Sequence, residues 1–225
     1  MICALDNSNL AHCVELVKRV SPWISKYKVG HALTLQHGLS AIDALRAAGA
    51  ERIFLDLKFH DIPNSVALAV REAAQRDVWM TTVHTTGGSD MMRAAVDAAE
   101  GRTHVVGVSV LTSMDPEMLA TELGVARSIE DHMLRLSEQA IAAGLSGVVC
   151  SPREVKLLRQ ALGPEAWLVV PGIRAPGGPT HDQVRVGSAS ESLSDGATYL
   201  VMGRALLEAQ SPEKALAEFG LLGTV

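Results

Sequence analysis

The chain has 225 residues and a mass of 23.9 kDa, which is enough for one large domain with a complete hydrophobic core. Hydrophobic residues make up 48% and charged residues 20% of the sequence, a balance that excludes an intrinsically disordered chain. The net charge of −5 and the pI of about 5.9 give no basic surplus for binding nucleic acid or an anionic membrane.

Eight short apolar segments recur along the chain, and each is followed by a helical pattern. The segments are rich in Val, Ile and Leu and show little alternation, which is typical of strands buried on both faces. The eight predicted strands are, in chain order, residues 2–5, 26–29, 52–57, 78–84, 104–111, 147–150, 167–170 and 198–202.

Amphipathic helices are predicted between these strands. The apolar spacing of Leu35, Leu39, Ile42 and Leu45 predicts one helix that ends at Gly49. Ser128 has the position of an N-cap for a helix that Gly144 ends, and Ser211 followed by Pro212 opens the last helix.

Eight strands with intervening helices predict an α/β fold, a single-domain (β/α)8 TIM barrel over residues 1–225. The alternative is an open doubly wound sheet, which would carry a G-x-G-x-x-G motif after the first strand. The first strand ends instead in Leu5-Asp6-Asn7-Ser8, so a dinucleotide site is not expected. The Gly- and Pro-rich segment 171–187 is predicted to be a long functional loop.

The sequence contains no segment typical of a membrane or secreted protein. No run of 18 apolar residues exists, and the first residues lack the basic region and apolar stretch of a signal peptide. The three cysteines, Cys3, Cys13 and Cys150, are odd in number and lack metal-site spacing. We therefore expect a reduced, cytoplasmic protein that does not bind membranes.

Charged side chains concentrate where the third predicted strand ends. Asp56 and Lys58 are two residues apart and are expected to share the face that points into the barrel. Asp61 adds a carboxylate just beyond the strand, and Lys28 adds an ammonium group from the neighbouring strand. Such charges are costly to bury unless they pair, so the pattern predicts an alternating Lys–Asp–Lys–Asp array at the functional end of the barrel. A purely structural salt-bridge network is the alternative.

Two basic residues indicate a phosphate site. Gly203 and Arg204 follow the eighth strand and open a helix, and Arg174 follows the seventh strand. The loops after these two strands are the usual phosphate site of such barrels. Two ordinary surface arginines are the alternative interpretation.

The run Asp-Leu-Lys-Phe-His-Asp-Ile-Pro-Asn at 56–64 resembles the signature of the orotidine 5′-monophosphate decarboxylase family, especially its bacterial branch. The shorter pattern D-x-K-x-x-D is shared by a wider superfamily, whereas the extended run is specific. The other segments that resemble the family, in the same order, are residues 4–6, 28–30, 111–113, 171–174, 182–185 and 201–204.

This resemblance implies cofactor-independent decarboxylation of orotidine 5′-monophosphate to uridine 5′-monophosphate in pyrimidine biosynthesis. It implies that Lys58 gives a proton to the carbon that loses CO₂, that Asp56 lies near the departing carboxylate, and that Lys28 joins the charge network. It also implies a homodimer with a shared active site, in which Asp61 comes from the partner subunit.

The resemblance implies a substrate-binding set as well. In this family Asp6 and Lys28 contact the ribose hydroxyls, while Ile62 and Ser65 come from the partner's side of the site; threonine is more usual than serine at position 65. The remaining implied contacts are Thr112 to the pyrimidine, Gln183 to base and phosphate, and Arg174, Gly203 and Arg204 to the phosphate.

Two other functions stay open at this stage. A magnesium-dependent sugar-phosphate decarboxylase or synthase of the same superfamily would share the D-x-K-x-x-D pattern. Such enzymes carry a glutamate metal ligand at the end of the second strand, where this chain has Lys28, whose ammonium group would repel Mg²⁺. The second alternative is a barrel that binds nucleotide phosphate without catalysis.

Overall fold

The eight parallel strands form a closed barrel in chain order, as the sequence predicts. The computed structural model describes residues 1–173, 187–207, 209 and 211–219. The first strand pairs with both the second and the eighth, with Ile2 opposite Val201, and this pairing closes the sheet. The strands are β1 Ile2–Ala4, β2 Lys26–Val29, β3 Arg52–Phe59, β4 Met80–His84, β5 His104–Val108, β6 Gly147–Val149, β7 Trp167–Val170 and β8 Tyr199–Met202.

Two predicted strand boundaries move for identifiable reasons. β4 begins at Met80 because the N–H group of Val78 donates to the carbonyl of Ala73 and so closes the turn that follows the preceding helix. β5 ends at Val108, opposite Val149, because β6 stops there and offers no further partner. The remaining ends coincide with the prediction or differ from it by one or two residues.

Helices cover the outside of the barrel, and the N-caps predicted from sequence are present. Ser128 Oγ accepts from the N–H group of Asp131 at 3.0 Å, and Ser211 Oγ accepts from that of Lys214 at 3.4 Å. None of the helices in the described ranges is long and apolar enough to cross a membrane. The helices are α1 Leu10–Val20, α2 His31–His37, α3 Ala41–Ala47, α4 Pro63–Gln75, α5 Ser89–Ala99, α6 Pro116–Thr121, α7 Ile129–Ala142, α8 Val155–Leu162, α9 Ala189–Ser194, α10 Arg204–Leu207 and α11 Pro212–Glu218.

The prediction of one continuous helix through Leu35 and Leu45 is wrong. The helix is interrupted at Gly38, whose φ of 65° ends α2, and a short 3-10 turn leads into α3. Leu35 is consequently 85% exposed, while Ile42 and Leu45 on α3 are buried. The apolar spacing continues across this break by coincidence, because Gly38 takes a left-handed conformation that interrupts helical geometry.

The barrel interior is filled from its amino-terminal end. Phe54, Met80 and Val106 are buried in the interior cluster, and aromatic side chains at the strand starts pack beneath them. The ring centroids of Trp167 and Trp79 are 5.7 Å apart, and Trp167 also packs against the rings of His104 and Tyr199. Together these rings close the floor of the barrel. This packing leaves open space only toward the carboxyl ends of the strands, the functional end of this fold.

Candidate active site

A cavity of about 400 Å³ opens at the carboxyl end of the barrel. Its lining combines apolar side chains from several strands with charged and polar ones. Besides the apolar side chains, the lining comprises Asp6, Lys28, Asp56, Lys58, Thr112, Pro171, Gly172, Gly203 and Arg204. Most of the predicted site residues that are not expected from a partner subunit therefore line this one cavity.

The cavity contains a continuous chain of alternating charges. Lys28 Nζ lies 2.7 Å from Asp6 Oδ1 and 3.2 Å from Asp56 Oδ2, and Lys58 Nζ lies 2.9 Å from Asp56 Oδ1. Lys28 and Asp56 are nearly buried, each with 9% of its surface exposed. The array predicted from Lys28, Asp56 and Lys58 is present, and its fourth member within this chain is Asp6.

The pairing determines the ionisation of the two buried groups. Burial alone would raise the pKa of the Asp56 carboxyl, but the ammonium groups of Lys28 and Lys58 outweigh burial and hold this pKa below its ordinary value. Burial alone would lower the pKa of Lys28, but Asp56 and Asp6 outweigh it and hold this pKa above its ordinary value. Both groups are therefore charged at neutral pH, and the site keeps its alternating signs.

Asp61 lies outside the array of its own chain, and its place in the partner's site stays a prediction. Asp61 is exposed, its Oδ1 accepts from the N–H group of Ile62 at 2.6 Å, and it forms no ion pair within the described residues. The cause is the path of the chain, which leaves β3 after Phe59 and turns outward so that Pro63 opens α4. Ile62 is 66% exposed, and neither it nor Ser65 lines the cavity of its own chain.

The contact between Asp56 and Lys58 depends on a local irregularity of β3. Leu55 pairs with Thr81 and Phe59 with Val83, so four steps along β3 match two steps along β4. Lys58 lies in this bulge with φ of 50°, a left-handed conformation that is uncommon for a side chain of this size. A regular strand would also put the two side chains on one face, but the observed 2.9 Å contact is made within the bulge.

Two side chains satisfy the backbone groups that the bulge leaves outside the ladder. The ring of His31 lies with Nε2 3.2 Å from the carbonyl oxygen of Leu57. On the other side, the N–H group of Lys58 donates to Thr82 Oγ1 at 2.9 Å, and the Thr82 hydroxyl donates to Asp56 Oδ1 at 3.0 Å. The sequence prediction missed Thr82; the available signal was a pair of hydroxyl residues, Thr81 and Thr82, inside a buried strand.

The structure describes only some of the residues predicted to bind phosphate. Gly203 follows β8 and Arg204 is the first residue of α10, and both line the cavity. Arg174 and Gln183 lie outside the described residues, as does most of the loop predicted over 171–187. The two described ends of this loop meet, since the N–H group of Gly187 donates to the carbonyl of Gly172 at 3.3 Å.

The chemistry of the cavity does not suit a metal ion. Among the described residues no group of three His, Cys, Asp or Glu side chains could hold one. The two carboxylates of the cavity, Asp6 and Asp56, are both bound by the ammonium group of Lys28. A positive charge at this position opposes a divalent cation.

Comparison with known proteins agrees with this geometry. The model of the family described as "Orotidine 5′-phosphate decarboxylase / HUMPS family" matches residues 1–219. The orotidine 5′-phosphate decarboxylase of Marinomonas sp. is 42% identical over 230 residues, covering 99% of this chain and 97% of the relative. That of Nitrosococcus oceani is 45% identical over 219 residues, covering 96% and 94%.

A solved structure gives the same result. The crystal structure of orotidine 5′-phosphate decarboxylase from Lactobacillus acidophilus superposes with a TM-score of 0.86 at 30% identity, covering 98% of this chain and 96% of the other. The similarity in sequence and in fold therefore extends over nearly the whole chain. This chain belongs to the orotidine 5′-phosphate decarboxylase / HUMPS family.

Proposed function

We propose that this enzyme decarboxylates orotidine 5′-phosphate to uridine 5′-phosphate in pyrimidine biosynthesis, as a carboxy-lyase. The observation that carries the proposal is the paired array of Lys28, Asp56 and Lys58 inside the cavity of a member of this family. An ammonium group held beside a buried carboxylate is what the loss of CO₂ from an aromatic ring carbon requires.

Decarboxylation breaks the bond between C6 of the pyrimidine and the substrate carboxylate. The electron pair stays on C6 in an orbital that the ring π system cannot absorb, so stabilisation must come from nearby charge. The ammonium group of Lys58 supplies a positive charge there and then transfers a proton from Nζ to C6. The resulting neutral amine recovers its proton from solvent, so the cycle consumes one proton and releases CO₂.

The partners of Lys58 keep this ammonium group in position. Within the described residues its only ion-pair partner is Asp56, which leaves further N–H groups of Nζ for the substrate. Asp56 also pairs with Lys28, so both ammonium groups are held in place around this carboxylate. We propose that the departing carboxylate of the substrate lies beside them. Such preorganised charges need no rearrangement during the reaction, and we propose that they replace an organic cofactor.

The proposed substrate contacts follow the cavity from base to phosphate. Thr112 would bind the pyrimidine, Asp6 and Lys28 the ribose hydroxyls, and Gly203 and Arg204 the phosphate together with Arg174 and Gln183. Gly203 supports this assignment because a Cβ atom there would come no closer than 3.6 Å to the protein. Protein packing therefore does not require glycine at this position, and the space beside it is available for a phosphate oxygen.

Gly30 supports the ribose assignment in a different way. A Cβ atom at Gly30 would lie 2.9 Å from Asp6 Oδ1 and 3.6 Å from Lys28 Nζ. The backbone of Gly30 has φ of −106°, which any residue adopts, so the requirement for glycine is one of space. Space at this position lets the carboxylate of Asp6 reach Lys28.

Gly30→Ala is expected to weaken substrate binding without unfolding the protein. The added methyl group displaces the half-exposed Asp6 carboxylate and lengthens its contact with Lys28. Since hydrogen bonds to charged groups contribute about 1.5–3 kcal/mol, kcat/KM should fall roughly 10- to 100-fold. Steady-state kinetics and a thermal melt measure the two effects; an unchanged kcat/KM would contradict the assignment of Asp6.

Catalysis should not depend on a metal ion. Turnover of orotidine 5′-phosphate, followed by its ultraviolet absorbance, is expected to be the same with excess EDTA as without it, because Lys28 occupies the position of the metal ligand in the magnesium-dependent enzymes. Loss of activity in EDTA that added Mg²⁺ restores would favour the magnesium-dependent alternative. Binding of the nucleotide with no turnover under either condition would favour a non-catalytic barrel.

We also propose that the enzyme is a homodimer whose active sites are shared. Asp61, Ile62 and Ser65 lie together after β3, outside the cavity of their own chain, and Ile62 exposes an apolar side chain. Leu68, three residues after Ser65 on α4, also exposes an apolar side chain, at 52%. A two-fold symmetric partner could cover the surface and present Asp61 to the other chain's Lys58.

Mixing two inactive variants tests the shared site. Lys58→Ala and Asp61→Ala should each be inactive, and random subunit exchange makes half of the dimers mixed. In a mixed dimer one site collects both substitutions, and the other combines an intact Lys58 with an intact Asp61. The mixture should therefore recover about a quarter of wild-type activity, because the two sites of a symmetric dimer are equivalent.

A fluorescence-transfer control with labelled subunits establishes that exchange has occurred. Confirmed exchange with no recovered activity would reject the shared site, because each cavity would then use Asp61 of its own chain. The decarboxylase assignment would stand in that case.

Two further expectations remain proposals. We propose that residues 1–225 form a single domain, of which the family match covers residues 1–219. A cytoplasmic location is proposed because Cys3 and Cys13 are buried and form no disulfide within the described residues, as is usual in a reducing compartment.

A further inference from the structure

We propose that Thr82 is a positioning residue that fixes Lys58 and Asp56 for the reaction. This inference rests on the roles proposed above for those two residues. Thr82 lies on β4 and its side chain is fully buried, so it acts through its neighbours and does not touch the cavity.

The hydroxyl group of Thr82 completes a closed ring of hydrogen bonds. The main-chain N–H of Lys58 donates to Thr82 Oγ1 at 2.9 Å, and the Thr82 hydroxyl donates to Asp56 Oδ1 at 3.0 Å. Asp56 Oδ1 in turn accepts from Lys58 Nζ at 2.9 Å. One hydroxyl therefore links the backbone of Lys58 to the carboxylate that holds the end of the same side chain.

The backbone of Lys58 needs such a link. Its φ of 50° is a strained conformation for a residue with a long side chain, and strain of this kind persists only where the surroundings hold it. The bulge removes the N–H group of Lys58 from the ladder to β4, and Thr82 accepts that group instead. Without the hydroxyl, the bulge can relax and carry the ammonium group away from its place beside Asp56.

The adjacent residue provides a matched control. Thr81 is equally buried on the same strand, and its hydroxyl donates to the carbonyl oxygen of Leu55 on β3 at 2.9 Å. Thr81→Val and Thr82→Val thus each remove one buried cross-strand hydroxyl from the same pair of strands. Only the hydroxyl of Thr82 contacts the charge array.

The test compares kcat, KM and the affinity for uridine 5′-phosphate in Thr82→Val, Thr82→Ser and Thr81→Val. Thr82→Val should lower kcat on the order of 100-fold, the effect of misplacing a reacting group by about 1 Å, with KM and product affinity changed less than about threefold. Thr82→Ser keeps the hydroxyl and should restore kcat to within a few-fold of wild type. Thr81→Val should lower the melting temperature comparably and leave kcat within about threefold.

Two results would overturn the proposal. One is a Thr82→Val enzyme with near-normal kcat, and the other is an equal loss of kcat in Thr81→Val per folded molecule. If Thr82→Val does not fold, Thr82→Ala and Thr82→Ser provide the same comparison, since both lack the methyl group and only serine keeps the hydroxyl; equal kcat in these two would also reject it.

A Lys58→Ala enzyme in the same assay distinguishes failure of the proposed role of Lys58 from failure of the positioning role of Thr82. An active Lys58→Ala enzyme would reject the role of Lys58 on which the inference rests. An inactive Lys58→Ala enzyme beside a fully active Thr82→Val enzyme would reject the positioning role alone.

Discussion

The carboxylate of Asp56 pairs with two ammonium groups, those of Lys28 and Lys58, inside the cavity of the barrel. The rest of the site is arranged around this interaction. An isolated charge at this depth would be costly, because the protein interior replaces water with a medium of low polarity. Lys28 and Lys58 offset that cost by lying 3.2 and 2.9 Å from the two oxygens of Asp56. Their attraction in turn fixes two flexible side chains within a cavity where positive charge is chemically useful.

The barrel supplies the four members of this array from its first three strands. Asp6 follows β1, Lys28 lies on β2, and Asp56 and Lys58 lie on β3. Two adjustments of the backbone make the meeting possible: the absence of a side chain at Gly30 and the bulge that contains Lys58. The aromatic floor at the opposite end fills the interior, so that the open volume is confined to the end where these charges lie.

The features that sequence could predict are those set by local patterns. The strands follow from apolar runs too short for helices, and strand order follows from the rule that such units close into a barrel. The pairing of Asp56 with Lys58 was predictable from their spacing, and the position of Gly203 and Arg204 from the end of the last strand. The N-caps Ser128 and Ser211 were equally predictable, because an N-cap side chain bonds to an N–H group only three residues further along the chain.

The features that sequence missed depend on contacts between strands or between chains. The bulge in β3 arises from the register with β4, which no pattern within β3 records, and the contacts of Thr82 follow from that register. The spacing of Asp61 does not show which chain it serves, and the outward path into α4 carries it away from the cavity of its own chain. The break at Gly38 is a local exception, because the apolar spacing continues through a residue whose left-handed backbone ends the helix.

The role of Lys58 is tested most directly by the kcat of Lys58→Ala, measured together with its affinity for uridine 5′-phosphate. We expect that decarboxylation is abolished while the product nucleotide binds nearly as tightly as to wild type, because the contribution of Lys58 is made chiefly in the transition state. A Lys58→Ala enzyme with near-normal kcat would contradict the claim that this ammonium group stabilises and protonates C6.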